Sequence, residues 1–154
     1  MKPFTPCLWF DGQAEEAARF YTSLVPGSKV GTITYYGDAG PGPKGSVLTV
    51  SFTLNGQEFM ALNGGPDFKF SEAVSFMIKC ESQAEIDRYW TALSADKAAE
   101  QCGWLKDKYG LSWQIVPAKL DLWMADRTKF DRVMAAVLKM HKLDLATLER
   151  VAAG

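Results

Sequence analysis

Residues 13–24, QAEEAARFYTSL, and residues 83–93, QAEIDRYWTAL, decide the fold, because one helical segment is written twice. Gln13-Ala14-Glu15 recurs 70 positions later as Gln83-Ala84-Glu85, and Arg19-Phe20-Tyr21-Thr22-Ser23-Leu24 recurs 69 positions later as Arg88-Tyr89-Trp90-Thr91-Ala92-Leu93. Self-similarity at a fixed period marks a structural unit used more than once. Each copy follows an apolar run, residues 6–10 or 74–78, and opens on a cap signal. Ser82-x-x-Glu85 has the form of a capping box, and Gly12-x-x-Glu15 is its weaker counterpart. The repeated unit is a strand followed by a helix.

In the first helix, positions 14, 17, 18, 21, 24 and 25 keep the 3.6-residue period and form one apolar stripe, which Pro26-Gly27 ends. The runs 30–36, 46–54 and 58–63 are rich in β-branched and aromatic residues, with Asn55-Gly56 as a hairpin dipeptide between the last two. Module one, residues 4–66, therefore reads βαβββ. In module two, residues 72–118, strand 73–80 and helix 83–94 lead to strands 101–106 and 111–116 around a turn at 107–110, one strand fewer. Past Pro117 a tail over 119–154 reads as two helices. Phe130, Val133, Met134, Val137 and Leu138 keep the helical apolar spacing, and Leu145, Leu148, Val151 and Ala152 continue it. The expected class is α+β, one domain over 1–154 made of two tandem modules and a helical tail. Gly37 to Gly45, with four Gly and two Pro, reads as a mobile hairpin loop.

Of the 154 residues 47% are hydrophobic and 23% charged, a globular composition. Seventeen Lys plus Arg against 18 Asp plus Glu leave a net charge of −1, too little field to hold polyanions, so no nucleic acid and no membrane is expected as partner. Met1 to Phe10 lacks the apolar centre of a leader, and no stretch approaches the roughly 18 apolar residues of a span, which points to a cytoplasmic protein. Cys7, Cys80 and Cys102 are an odd number without CxxC spacing and read as small apolar thiols.

The stretches FYTSLVPGSKV (20–30), FMALNGGPDFKF (59–70), SFMIKCESQAEIDRYWTAL (75–93) and CGWLKDKYGLSWQIVP (102–117) resemble the vicinal oxygen chelate superfamily of glyoxalases, bleomycin-resistance proteins and dioxygenases. Within it they resemble the PhnB-like branch, labelled 3-demethylubiquinone 3-methyltransferase-like, over residues 4 to about 150. The resemblance implies that each sheet curls into a half-barrel and that the chain pairs as a homodimer. It also implies a cavity between the halves, which in many members holds a divalent metal through one side chain from each of four strands. Matched to those members, the four ligand slots fall on Pro6, Ala61, Ser75 and Gln114. Pro and Ala bring no ligand atom, Ser is a weak neutral one, and Gln offers a single oxygen. No metal centre and no cofactor is expected, although Asp11, Glu58 and Glu81 near strand ends leave room for a rearranged set.

An S-adenosylmethionine site of the common type needs a strand, a Gly-rich turn and a helix in a parallel sheet. Gly37-Asp38-Ala39-Gly40 leads instead through Pro41 and Pro43 into a strand, so the methyltransferase label does not describe chemistry written in this chain. His141, the one histidine, falls near the end of a tail helix and reads as solvated, and Cys102 has no evident cationic neighbour, so no catalytic residue is assigned.

Strand alternation from the slots selects a lining of Pro6, Leu8, Phe10, Phe59, Ala61, Asn63, Ser75, Met77, Ser112 and Gln114, with Trp104 across the last hairpin. Trp113 and Ile115 then face the helices. The lining is mostly apolar with a few short polar groups, as small-molecule sites are, while Leu8, Phe59 and Met77 suit a plain core equally well. Three functions fit: a metal-free protein holding a small molecule, a metal-dependent or cofactor-free lyase or isomerase, and a structural or partner-binding dimer.

Overall fold

The computed structural model describes residues 4–154. The first three positions of the stretch read for a leader lie outside the described residues. The chain divides into two compact units, Met1–Lys69 and Phe70–Gly154.

In the first unit the elements are β1 (Cys7–Phe10), α1 (Ala14–Leu24), β2 (Lys29–Tyr35), β3 (Val47–Leu54) and β4 (Gln57–Asn63). They form one sheet of order β1-β4-β3-β2, in which β1 runs parallel to β4 and the remaining pairs are antiparallel. The β3–β4 hairpin closes on Asn55 and Gly56, both at positive φ (46° and 84°), the geometry of a type I′ turn. Helix α1 buries Ala14, Ala17, Ala18 and Tyr21 against one sheet face, where the Tyr21 ring lies 6.3 Å from Phe52 and Phe52 stacks on Phe59 at 5.2 Å. Three alanines let the helix come close to the strands, and the aromatic row fills the remaining depth.

The 37–45 segment is folded rather than a free loop. It wraps the Tyr36 ring, leaving it 9% exposed, while the Tyr36 hydroxyl donates to the Asn63 carbonyl at 2.5 Å and Tyr36 and Gly45 or Ser46 exchange backbone bonds. A Cβ at Gly40 or Gly42 would stand about 2.5 Å from ring carbons, which is why glycines are needed there. Lys44 pairs with Asp38 at 2.8 Å.

The second unit contains β5 (Ser75–Cys80), α2 (Gln83–Leu93), a 3₁₀ turn (Lys97–Ala99), β6 (Trp104–Lys106) and β7 (Ser112–Pro117). Its sheet has three strands in the order β5-β7-β6, with β5 parallel to β7 and β6 antiparallel to it. This repeats the first sheet without the counterpart of β2, whose place in the chain is taken by the 3₁₀ turn and the approach to β6. Ser82 caps α2 as expected, its Oγ accepting from the Glu85 N–H at 3.3 Å, while the Glu85 carboxylate reaches one residue further back than a capping box does, to the Glu81 N–H at 2.7 Å. Ile86, Tyr89, Trp90 and Leu93 bury the inner face of α2.

The tail has three helices where the apolar spacing suggested two: α3 (Leu120–Ala125), α4 (Arg127–Val137) and α5 (Leu145–Ala153). Asp126 ends α3 and caps α4, and Asp144 caps α5, each through its side chain. Val133, Val137, Leu143, Leu148 and Ala152 pack with Val116 of β7 into one cluster. Phe130 and Leu138, expected in that stripe, are exposed instead: only Val133 and Val137 of α4 are buried, and Leu138 lies just past the end of the helix. No helix among the described residues is long and apolar enough to cross a membrane.

Candidate functional site

Each sheet has one face covered by its helix and one face turned away from it, and register assigns the expected lining residues between the two. In the second unit, Ser75 pairs with Ser112, Met77 with Gln114, Trp104 with Gln114 and Lys106 with Ser112. These six side chains share the face away from α2. Phe76, Ile78, Leu105, Trp113 and Ile115 alternate with them toward the helix, and Phe76 and Trp113 meet at 5.8 Å. The sequence reading of this half therefore matches the observed faces, and the hairpin register sets Trp104 opposite Gln114.

In the first unit the faces are reversed from the expectation. Leu8, Phe10, Phe59 and Ala61 lie at register positions opposite one another or the α1-packed Val50 and Phe52, and all are buried beneath the helix. Asn63 belongs there too, its Oδ1 accepting from the Ala14 N–H at 2.9 Å and its Nδ2 donating to the Val47 carbonyl at 3.0 Å. Pro6 is half-buried just ahead of β1, its carbonyl accepting from the Met60 N–H. The cause is the turn between strand and helix. Three residues, Asp11 to Gln13, join β1 to α1, with Gly12 at φ +85°, whereas two residues join β5 to α2. The strands therefore correspond at the 70-residue offset, which makes Thr5 the counterpart of Ser75 and Cys7 that of Met77.

The face away from α1 carries Cys7, Met60 and Ser51, with the row Lys29, Thr53 and Glu58 beside them. A cleft of about 340 Å³ is lined there by Thr5, Lys29, Ser51, Thr53, Glu58 and Met60. Ser51 Oγ accepts the Thr32 N–H at 2.7 Å where the β2–β3 ladder shifts register. A second, mostly apolar cleft of about 500 Å³ lies between Trp9, Tyr36, Leu48, Leu62 and the 37–41 segment. Trp9 is fixed at its edge, donating Nε1–H to Gly65 O at 2.8 Å and meeting Phe68 edge-on at 4.9 Å.

On the second sheet the polar groups are few and specific. Gln114 Nε2 donates to Ser75 Oγ at 2.9 Å. Ser112 is 1% exposed, and its hydroxyl has no hydrogen-bond partner among the described residues. Lys106 ion-pairs with Glu72, and its hydrogen bond holds the Glu72 carboxyl below its usual range. Sequence reasoning passed over both members of this pair, although Lys106 has the parity of Trp104 and could have been found by alternation.

The donor set does not suit a divalent ion. The inherited slots, placed on the observed faces, hold Thr5 and Met60 in the first unit and Ser75 and Gln114 in the second, each pair without a negative charge. Among the described residues no group of three or more His, Cys, Asp or Glu converges. Burial raises the Cys7 thiol above its ordinary value, so it is a poor thiolate. The other groups considered for chemistry lie elsewhere. His141 is exposed with Nδ1 at 2.5 Å from the Glu100 carbonyl, and the Cys102 sulfur accepts from Gln101 Nε2 at 3.3 Å. The Gly-rich 37–45 segment joins the antiparallel strands β2 and β3, not a strand to a helix, so it makes no cofactor turn of the S-adenosylmethionine type.

A family model described as 3-demethylubiquinone-9 3-methyltransferase matches residues 2–116. The chain belongs to this family. The match ends at the close of β7, so the three tail helices lie beyond it. Among solved structures, the PhnB protein from Bacillus cereus is 39% identical, with a TM-score of 0.64, over 75% of this chain and 99% of that one. The PhnB-like resemblance is thereby borne out. Protein PA1353 from Pseudomonas aeruginosa shares the fold at 20% identity and a TM-score of 0.57, over 76% of this chain and 98% of that one. No curated protein matches.

Proposed function

We propose that this chain is a metal-free protein that holds a small, partly apolar molecule against the face of its second sheet away from α2. One observation carries the reading: the Ser112 hydroxyl is buried without a hydrogen-bond partner, between Ser75 and Lys106 in register and beside the Gln114 amide. Leaving a buried hydroxyl unsatisfied costs about 1–3 kcal/mol, and a bound molecule with a polar atom at that point removes the cost. Trp104 and Met77 on the same face supply a flat wall and an adaptable thioether for an apolar body. Family membership and the fold support a small-molecule role. We place the working form as a homodimer, supported by the exposed Leu122, Phe130 and Leu138 of the tail, and in the cytoplasm, supported by three free cysteines.

A native mass spectrum of freshly purified protein tests the reading. The expected species is a dimer carrying a co-purified compound of a few hundred daltons, lost from Ser112→Leu, in which the new side chain fills the site. One equivalent of a transition metal per chain, released on mutating Gln114, would show the metal-free assignment to be wrong. A monomer under those conditions would remove the dimer.

A further inference from the structure

Across the second sheet Ser75, Ser112 and Lys106 form one row, and Met77, Gln114 and Trp104 form the next row on the same face. Lys106 starts on β6 and reaches Glu72, three residues ahead of β5, while β7 lies between β6 and β5. Ser112 stands opposite Lys106 on β7 and is 1% exposed. We infer that the Ser75–Ser112–Lys106 row anchors a single carboxylate of the bound molecule, that the Met77–Gln114–Trp104 row holds its apolar body, and that Glu72 is the counter-ion the ligand displaces.

This rests on the binding-protein reading above and adds the ligand's class. A carboxylate is acceptor-only, and each member of the row can donate to it. Because Gln114 Nε2 donates to Ser75 Oγ, the Ser75 proton is left for an outside acceptor. Ser112 has no partner to lose. The Lys106 ammonium has three protons and is 26% exposed, whereas its partner Glu72 is 63% exposed on the segment ahead of the sheet. The wet partner of such a pair is the one exchanged, since an exposed carboxylate gains little from the contact and recovers its hydration on release. One lysine matches one negative charge, which selects a monocarboxylate with an aromatic or branched apolar body.

Isothermal titration and ligand-observed NMR with phenylacetate and its neutral analogue phenylacetamide test the assignment. Wild-type protein is expected to bind phenylacetate at least about ten-fold more tightly, the usual margin of a charge-assisted pair over a neutral hydrogen bond. Lys106→Met removes that preference, so that the two compounds bind with equal affinity. Glu72→Gln, a change at an exposed side chain, strengthens phenylacetate binding and leaves phenylacetamide unchanged, which a merely structural ion pair would not do. Equal affinity for the two compounds, or no response to Glu72→Gln, overturns the carboxylate site and leaves the binding-protein reading standing. Binding of neither compound at millimolar concentration also overturns the carboxylate site, and the absence of any co-purified compound from the native spectrum overturns the reading beneath it.

Discussion

Asn63, the last residue of β4, accepts the Ala14 N–H at 2.9 Å through Oδ1 and donates to the Val47 carbonyl at 3.0 Å through Nδ2, so the first sheet itself caps the helix that covers it. The helix lacks a side-chain cap of its own, because Gln13 at the N-cap position makes none. Asn63→Ala is therefore expected to lower unfolding free energy by about 1–3 kcal/mol, the range for losing a cap and stranding the buried Ala14 N–H. Urea unfolding of the two proteins measures this, and an unchanged midpoint would return Asn63 to the candidates for ligand binding.

The reversal that put Asn63 under the helix shows how far the sequence was readable. The repeat, the succession of strands and helices that follows from it, the Asn55-Gly56 turn and the Ser82 cap rest on local patterns, and local patterns were enough. The face of β1 was not local. It depends on whether the turn before α1 has two residues or three, and a one-residue change exchanges every inward side chain for its neighbour. The signal was present, since Gln13-Ala14-Glu15, next to the strand, repeats at 70 positions and only the later part of the helix repeats at 69. In the second unit the shorter turn preserved the counted parity, so Ser75, Met77, Ser112, Gln114 and Trp104 emerged on one face. Helix α3 was missed because six residues are too few for an apolar period to show.

Trp113 and Gln114 are neighbours in β7 with opposite burdens. Trp113 packs toward α2 and donates Nε1–H to the buried Asp107 carboxylate at 2.8 Å, and that carboxylate also accepts the Tyr109 and Leu111 N–H groups of the hairpin turn. Trp113→Ala is expected to cost about 3–5 kcal/mol, as large core truncations do. Gln114→Leu should change stability by less than about 1 kcal/mol, because it gives up one part-buried hydrogen bond and gains apolar contact. Equilibrium denaturation of both variants decides it, and the reverse ranking would mean that the two faces of β7 have been exchanged.

Burial raises the Cys80 thiol from its ordinary value of 9.0 to about 11, with the nearby Glu85 charge adding to the effect. A group whose folded pKa is raised contributes stability that is complete below the unfolded value and is lost as pH rises toward the folded one. Part of the alkaline destabilisation between pH 9 and 11 should therefore belong to Cys80 and vanish in Cys80→Ala. Under native conditions at neutral pH, iodoacetamide should label the exposed Cys7 well before Cys80, as read by intact mass. Equal labelling of the two would show that Cys80 is not held in the packed interior.

Gln83, the first residue of α2, uses both ends of its side chain on the tail. Its Nε2 donates to the Leu143 carbonyl at 3.2 Å and its Oε1 accepts the Leu145 N–H at 2.8 Å, so one amide side chain completes two backbone groups of the turn into α5. Two backbone bonds fix the same turn from the other side, Cys102 N–H to Met140 O at 2.8 Å and Gly103 N–H to His141 O at 2.7 Å. Gly103 stands at φ +86°, and a Cβ there would lie 3.1 Å from both the Ile115 carbonyl and the Leu143 side chain, so the tail is seated where little space remains. These clasps and the Val133–Leu148 cluster hold helices that lie outside the family match. Removing the amide in Gln83→Ala leaves a backbone carbonyl and an N–H to find water, which favours local opening of the turn over global unfolding. Amide exchange in α5 is expected to quicken by about ten-fold while exchange in β7 stays unchanged, the size that a loss of about 1.4 kcal/mol in local stability gives. If Gln83→Ala instead quickens α5 and β7 equally, the tail and the second sheet open as one cooperative unit and Gln83 is not the clasp between them.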